Sequence, residues 1–130
     1  MSKANRCDAV AFFDEFVEAF STFDGLVVAQ RYHQPFIALH SDETAETMQN
    51  HSETAEYFQK YLDSYHAGGC RSCGFDELEV IQINQSSILA TVTWKLYDSK
   101  KALVASWRES YTIAFINSKM QVLTSVDHAG

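Results

Sequence analysis

Midway along this chain the spacing of the apolar residues changes, and that change restricts the fold more than any other feature. Ala9, Phe12, Phe13, Phe16, Val17, Phe20 and Phe23 recur every three or four residues, which puts them on one broad stripe of a helix. From Phe75 onward the repeat is two. Ala90, Val92, Trp94 and Leu96 alternate with Thr91, Thr93 and Lys95, and Trp107, Tyr111, Ile113 and Phe115 alternate with Arg108, Ser110 and Thr112. Period two belongs to strands with one face in a core. Helices segregated in sequence from strands joined by short turns define an α+β domain with an antiparallel meander.

Local signals divide these halves further. The spacing predicts a helix over 8–23 with Asp8 as its cap, a break at Asp24-Gly25, and a second helix over 26–33 that Pro35 ends. Residues 36–39 read as a short strand before the Ser41-Asp42 turn. Residues 43–49 are compatible with helix or strand, and the echo of Glu43-Thr44-Ala45-Glu46 in Glu53-Thr54-Ala55-Glu56 has no duplicated surroundings to make it a repeat. Ser52 is placed as the cap of a third helix carrying Phe58, Tyr61, Leu62 and Tyr65 on one face and ending at Gly68-Gly69. Leu78, Val80 and Ile83 mark a strand with a bulge near Ile81. Turns over 84–86, 98–101 and 117–119 separate it from the last three strands.

At 130 residues the chain suits one domain, taken here as 1–130. Its charge of −7 argues against nucleic acid or an anionic membrane as partner, because both require a basic face. No secretory leader or membrane-spanning run is apparent, and Cys7, Cys70 and Cys73 are too few for a disulfide framework. A cytoplasmic protein is the expectation.

Taken in order, the aromatic first helix, Pro35-Phe36, Thr91-Val92-Thr93-Trp94, Trp107-Arg108-Glu109-Ser110-Tyr111 and Asp127-His128 resemble the nuclear-transport-factor-2-like superfamily in its SnoaL-like branch. The resemblance spans roughly 12–128. It implies a cone, in which three N-terminal helices pack into a strongly curved, mostly antiparallel sheet and leave a pocket between. The superfamily includes ketosteroid isomerases, polyketide cyclases and dehydratases, and also non-catalytic association domains, so the fold alone does not assign a function. Many members are homodimers that pair through the outer sheet face. A homodimer is also expected from the residues, since apolar side chains on both faces of a sheet call for a second cover. No family catalytic signature matches residue by residue, so no catalytic residue is carried over.

Glu109 is the first candidate catalytic residue. It shares parity with Trp107, Tyr111, Ile113 and Phe115, and a carboxyl among aromatic rings is raised toward neutrality by desolvation. Its structural alternatives are a bulge that turns it outward, or a structural pairing with Arg108, Lys95 or a neighbouring His. His128 is the second candidate. It shares parity with Val122, Thr124 and Val126, which points it inward and Asp127 outward; the alternative is a frayed, solvated end. Tyr32, Tyr57, Trp94, Trp107 and Tyr111 are candidate ligand-binding residues, able to line a cavity or simply to fill the core. Cys70-Arg71-Ser72-Cys73 with His66 lacks the second ligand pair of a zinc site, so no metal is expected. No serine elbow, HExxH or phosphate loop is present.

These readings converge on a small, largely apolar ligand, ketone- or polyketide-like, bound in the cone. The associated chemistry would be acid–base isomerisation, cyclisation or dehydration, which requires no cofactor. The competing expectation is a non-catalytic association domain with a filled cone.

Overall fold

The computed structural model describes residues 5–128. Helix α1 spans Arg6–Phe20. Its cap is Asn5, whose side chain accepts from the Asp8 amide at 3.0 Å while Asp8 accepts from the Asn5 amide at 3.1 Å. This reciprocal box moves Asp8 from the expected cap into the first turn. The helix stops three residues early, because Ser21 and Thr22 donate their hydroxyls back to the Glu18 and Ala19 carbonyls and Phe23 turns to a φ of 50°. Helix α2 is a single turn, Gly25–Ala29, capped by Asp24. It is shorter than the expected 26–33, because Tyr32 already belongs to strand β1, Tyr32–Leu39, which runs through Pro35.

Residues 43–49 resolve as strand β2, Ala45–Met48, the antiparallel partner of β1. Helix α3, His51–Ala67, is capped by Asn50, whose side chain accepts from the Glu53 amide at 2.9 Å. Ser52, the expected cap, sits in the first turn. A Cβ on Gly25 would lie 2.3 Å from the Ala55 carbonyl oxygen, so α2 and α3 meet at a distance only glycine permits.

Strands β3 (Ser72–Gln82), β4 (Ser87–Tyr97), β5 (Leu103–Ile116) and β6 (Lys119–Asp127) form the meander. The sheet order is β2-β1-β6-β5-β4-β3, antiparallel throughout except between β1 and β6. Four slips interrupt the ladders, and two of them bear on the strand faces. One lies between Asp76 and Glu79, where Glu77 has a φ of 52°, rather than near Ile81, which pairs regularly with Leu89. The other lies on β6: Thr112 pairs with Thr124 but Ile113 pairs with Val122, so Leu123 is the extra residue.

The helices fill the concave face. Phe13 sits 5.6 Å from Phe75, 5.8 Å from Trp94 and 5.6 Å from Tyr111, and Phe16 sits 5.2 Å from Trp94 and 6.0 Å from Tyr32. Ala90, Val92, Trp94 and Leu96 are all buried, as the alternation on β4 requires. Each phenylalanine of α1 buried this way contributes roughly 1.5–3 kcal/mol, which is what ties the helix to the sheet.

The convex face differs from the expectation of apolar residues on both sides. Over β4 and β5 it carries Thr91, Thr93, Lys95, Arg108, Ser110 and Thr112, joined by polar contacts such as Thr91–Ser110 at 2.7 Å and Arg108 to Thr93 at 3.0 Å. Exposed apolar side chains on the strands lie at Ile37 and Leu39 on β1, Ile81 on β3, Leu103 and Val104 on β5, and Val126 on β6. Leu39 and Val126 are direct neighbours across the β1–β6 ladder. Among the described residues no helix is long and apolar enough to cross a membrane.

Candidate functional site

Between the aromatic faces of α1 and α3 and the concave side of the sheet lies a cavity of about 280 Å³. Its wall includes all five candidate aromatic residues, Tyr32, Tyr57, Trp94, Trp107 and Tyr111, together with Glu109. The strand alternation that buries Tyr111 and Ile113 also turns Glu109 inward. Two indole donors organise this side of the wall. Trp107 Nε1 donates to Glu109 Oε1 at 2.7 Å, and Trp94 Nε1 donates to the Tyr111 hydroxyl at 2.6 Å.

Burial pushes the Glu109 carboxyl up to about 7, and the negative charge of Asp127 adds to the effect; the Trp107 hydrogen bond, the Tyr111 hydroxyl and His40 act in the opposite direction. Tyr32 and Tyr111, both buried, are raised well above the ordinary phenol range by desolvation. Tyr57 and Tyr65 are raised for the same reason. All four are therefore neutral hydroxyls near physiological pH, able to donate or accept.

The last strand reverses one expectation. The extra residue at Leu123 inverts the alternation beyond it, so Ser125 and Asp127 follow Val122 onto the concave face. Asp127 is then the cross-strand partner of Glu109. His128 reaches only the cavity's edge; it is exposed, and its Nε2 lies 2.8 Å from Ser110 Oγ, on the convex side. Of the closing pair, Asp127 is the inward residue and His128 the outward one.

A histidine not singled out from sequence stands behind Asp127. His40 Nδ1 lies 2.9 Å from Asp127 Oδ2, and its Nε2 lies 2.8 Å from Glu46 Oε2. The Asp127 hydrogen bond, with that to Glu46, raises His40 above the ordinary imidazole value. The Tyr57 hydroxyl is 3.5 Å from the same ring. The missing signal was the β1–β2 hairpin: Ala38 opposite Glu46 puts His40 within reach of that carboxylate, and residues 43–49 had no assigned state from which to see it.

Cys73 also lines the cavity, and burial pushes its thiol up to about 12; Cys70 is raised by burial too. Neither is a ready thiolate. His66 stacks edge-on against Phe23 at 5.0 Å. Among the described residues no three ligating side chains converge on one point.

The structure is an α+β cone with an aromatic cavity and one desolvated carboxyl on its wall. The family described as NTF2-like protein (DUF6841) matches residues 7–130, and the chain belongs to it. Similar folds occur in a protein of unknown function with a cystatin-like fold from Nostoc punctiforme (12% identity, TM-score 0.76, 98% of this chain and 93% of that one). They occur also in an NTF2-like protein of unknown function from Shewanella oneidensis (14%, 0.72, 93% and 96%). A third is a Xanthomonas campestris protein assigned as a calcium/calmodulin-dependent protein kinase II association domain (17%, 0.71, 100% and 95%). At these identities the likeness is one of fold. Comparison with curated proteins returned no significant match.

The elevation of Glu109 has a thermodynamic signature. Its folded midpoint, about 7, lies above the unfolded value near 4.5, so the protonated form favours the fold. That contribution is fully present below about pH 4.5 and is lost as pH rises through 7. In urea unfolding, Glu109→Gln should gain about 3 kcal/mol on the wild type between pH 4 and pH 8. A difference that stays constant across this range would contradict the assignment.

Proposed function

We propose that the cone binds a small, largely apolar molecule and that Glu109 exchanges a proton with it. The observation that carries this reading is the placement of one near-neutral carboxyl on the wall of an aromatic cavity. A general acid or base works best when its midpoint is close to the operating pH. The indole of Trp107 fixes the orientation of the carboxyl, and Tyr32 or Tyr111 supplies a neutral hydroxyl for a developing enolate oxygen. A ketone- or polyketide-like substrate suits this arrangement, with isomerisation, cyclisation or dehydration as the reaction and no cofactor. That chemistry is what would put the chain in the SnoaL-like branch. The three cysteines, all free thiols, suit a cytoplasmic setting.

An enolisable probe tests the proton transfer directly. With 2-tetralone in deuterium oxide, the protein should accelerate exchange of the α-protons as followed by NMR. Glu109→Gln should lower the rate by about 10²- to 10⁴-fold. An unchanged rate in that variant would remove Glu109 from the chemistry.

The second reading, an association domain, is supported by the fold it shares with the Xanthomonas protein, but the open cavity counts against a filled cone. Pairing is compatible with a pocket. We propose a homodimer through the outer sheet face, with Ile37, Leu39 and Val126 as its apolar contribution. Light scattering at micromolar concentration should give twice the 14.7 kDa chain mass; a monomer mass would contradict the dimer.

A further inference from the structure

The sign of the charge around the cavity narrows what can occupy it. Glu109 and Asp127 face it from adjacent positions on β5 and β6. Glu46 stands just behind, joined to the Asp127 carboxylate through one imidazole. Among the described residues His40 is the one basic side chain set among these three carboxyl groups. Among the described residues no lysine or arginine is on the wall. The basic side chains on the neighbouring strands are held elsewhere: Arg108 contacts Thr93 and Glu79 on the convex face, and Lys95 bonds Asp76 at 3.2 Å. Arg31 lies over the Phe12 ring at 4.3 Å and reaches Glu15.

Aromatic faces complete the environment. Tyr57, Tyr61, Tyr65 and Trp107 form a continuous row along the cavity, with successive centroids 5.1, 6.3 and 5.7 Å apart. Ring faces carry the negative lobe of the quadrupole and attract cations, more strongly where water is excluded. On Glu109 the Trp107 indole takes Oε1, and the Tyr111 hydroxyl donates to the same carboxyl. On Asp127 the His40 ring takes Oδ2, and the side chain keeps 38% of its surface open. Asp127 is thus the carboxyl more open to a donor from a ligand, with Glu109 beside it across the ladder.

We infer that the molecule bound in this cone is an organic cation, an apolar or aromatic body bearing a protonated amine directed at Glu109 and Asp127. The inference rests on the reading of the cone as a small-molecule pocket and specifies the ligand's charge. A carboxylate or phosphate ligand is disfavoured by the same groups, since it would meet like charge without a basic partner. A neutral ligand forgoes the charge-assisted hydrogen bonds.

Three probes of one shape and different charge separate these cases: 2-phenylethylamine, 2-phenylethanol and phenylacetate. The protein has two tryptophans, Trp94 and Trp107, and both are on the cavity wall, so intrinsic fluorescence reports occupancy there. At pH 8 and low salt the amine should bind at least about tenfold more tightly than the alcohol, with phenylacetate weakest. In Asp127→Asn the advantage of the amine over the alcohol should fall to about threefold or less, while the alcohol's own affinity stays within about twofold. A variant that merely misfolded would lose both ligands together, and Asp127→Glu should restore the preference for the amine. Equal binding of amine and alcohol, or tighter binding of phenylacetate, would overturn the cation and leave the pocket intact. If none of the three perturbs either tryptophan, the small-molecule reading falls and this inference falls with it.

Discussion

Glu109 and Asp127 share one wall of the cavity, the first partly buried and desolvated among aromatic rings and the second at its open side. Placing two carboxyl groups this close in a largely apolar hollow is unfavourable unless their protonation states are driven apart. The fold does this with local partners. His40, itself raised by its hydrogen bonds to Asp127 and Glu46, gives the Asp127 charge a hydrogen-bonded partner. Desolvation and that charge together hold Glu109 near neutrality. The hairpin that brings His40 and Glu46 to β6, the aromatic helices that exclude water, and the long β5 that carries Trp107 beside Glu109 all serve this one arrangement.

The geometry depends on a single irregular residue. Without the extra residue at Leu123, β6 would keep its alternation and deliver His128 to the concave side with Asp127 outside. The cavity would then hold one carboxyl and one imidazole, a different electrostatic site built from the same side chains. Bulges next to functional sites commonly re-aim a side chain in this way. Here the bulge decides which member of the Asp127–His128 pair meets a ligand.

Much of this was legible from periodicity. The change from a helical to a two-residue repeat separates the helices from the meander, and the parity of Trp107, Glu109 and Tyr111 places the carboxyl among aromatics, because β5 stays regular over that stretch. What escaped was set by single residues and long-range pairing. Asn5 and Asn50 cap their helices in place of Asp8 and Ser52, since the capping position depends on where the preceding chain turns. Tyr32 enters a strand instead of a helix because the parallel ladder to β6, ninety positions away, claims its backbone. His40 and Asp127 are 87 residues apart, and only the finished sheet brings them together.

The surroundings of the Glu109 carboxyl delay its ionisation. Carbon-detected NMR of the glutamate side chains, with Glu109 assigned by its absence in Glu109→Gln, measures this in the folded protein. The Glu109 carboxyl carbon should titrate with a midpoint near 7. A midpoint close to that of a solvated glutamate, about 4.3, would show that the cavity does not desolvate Glu109.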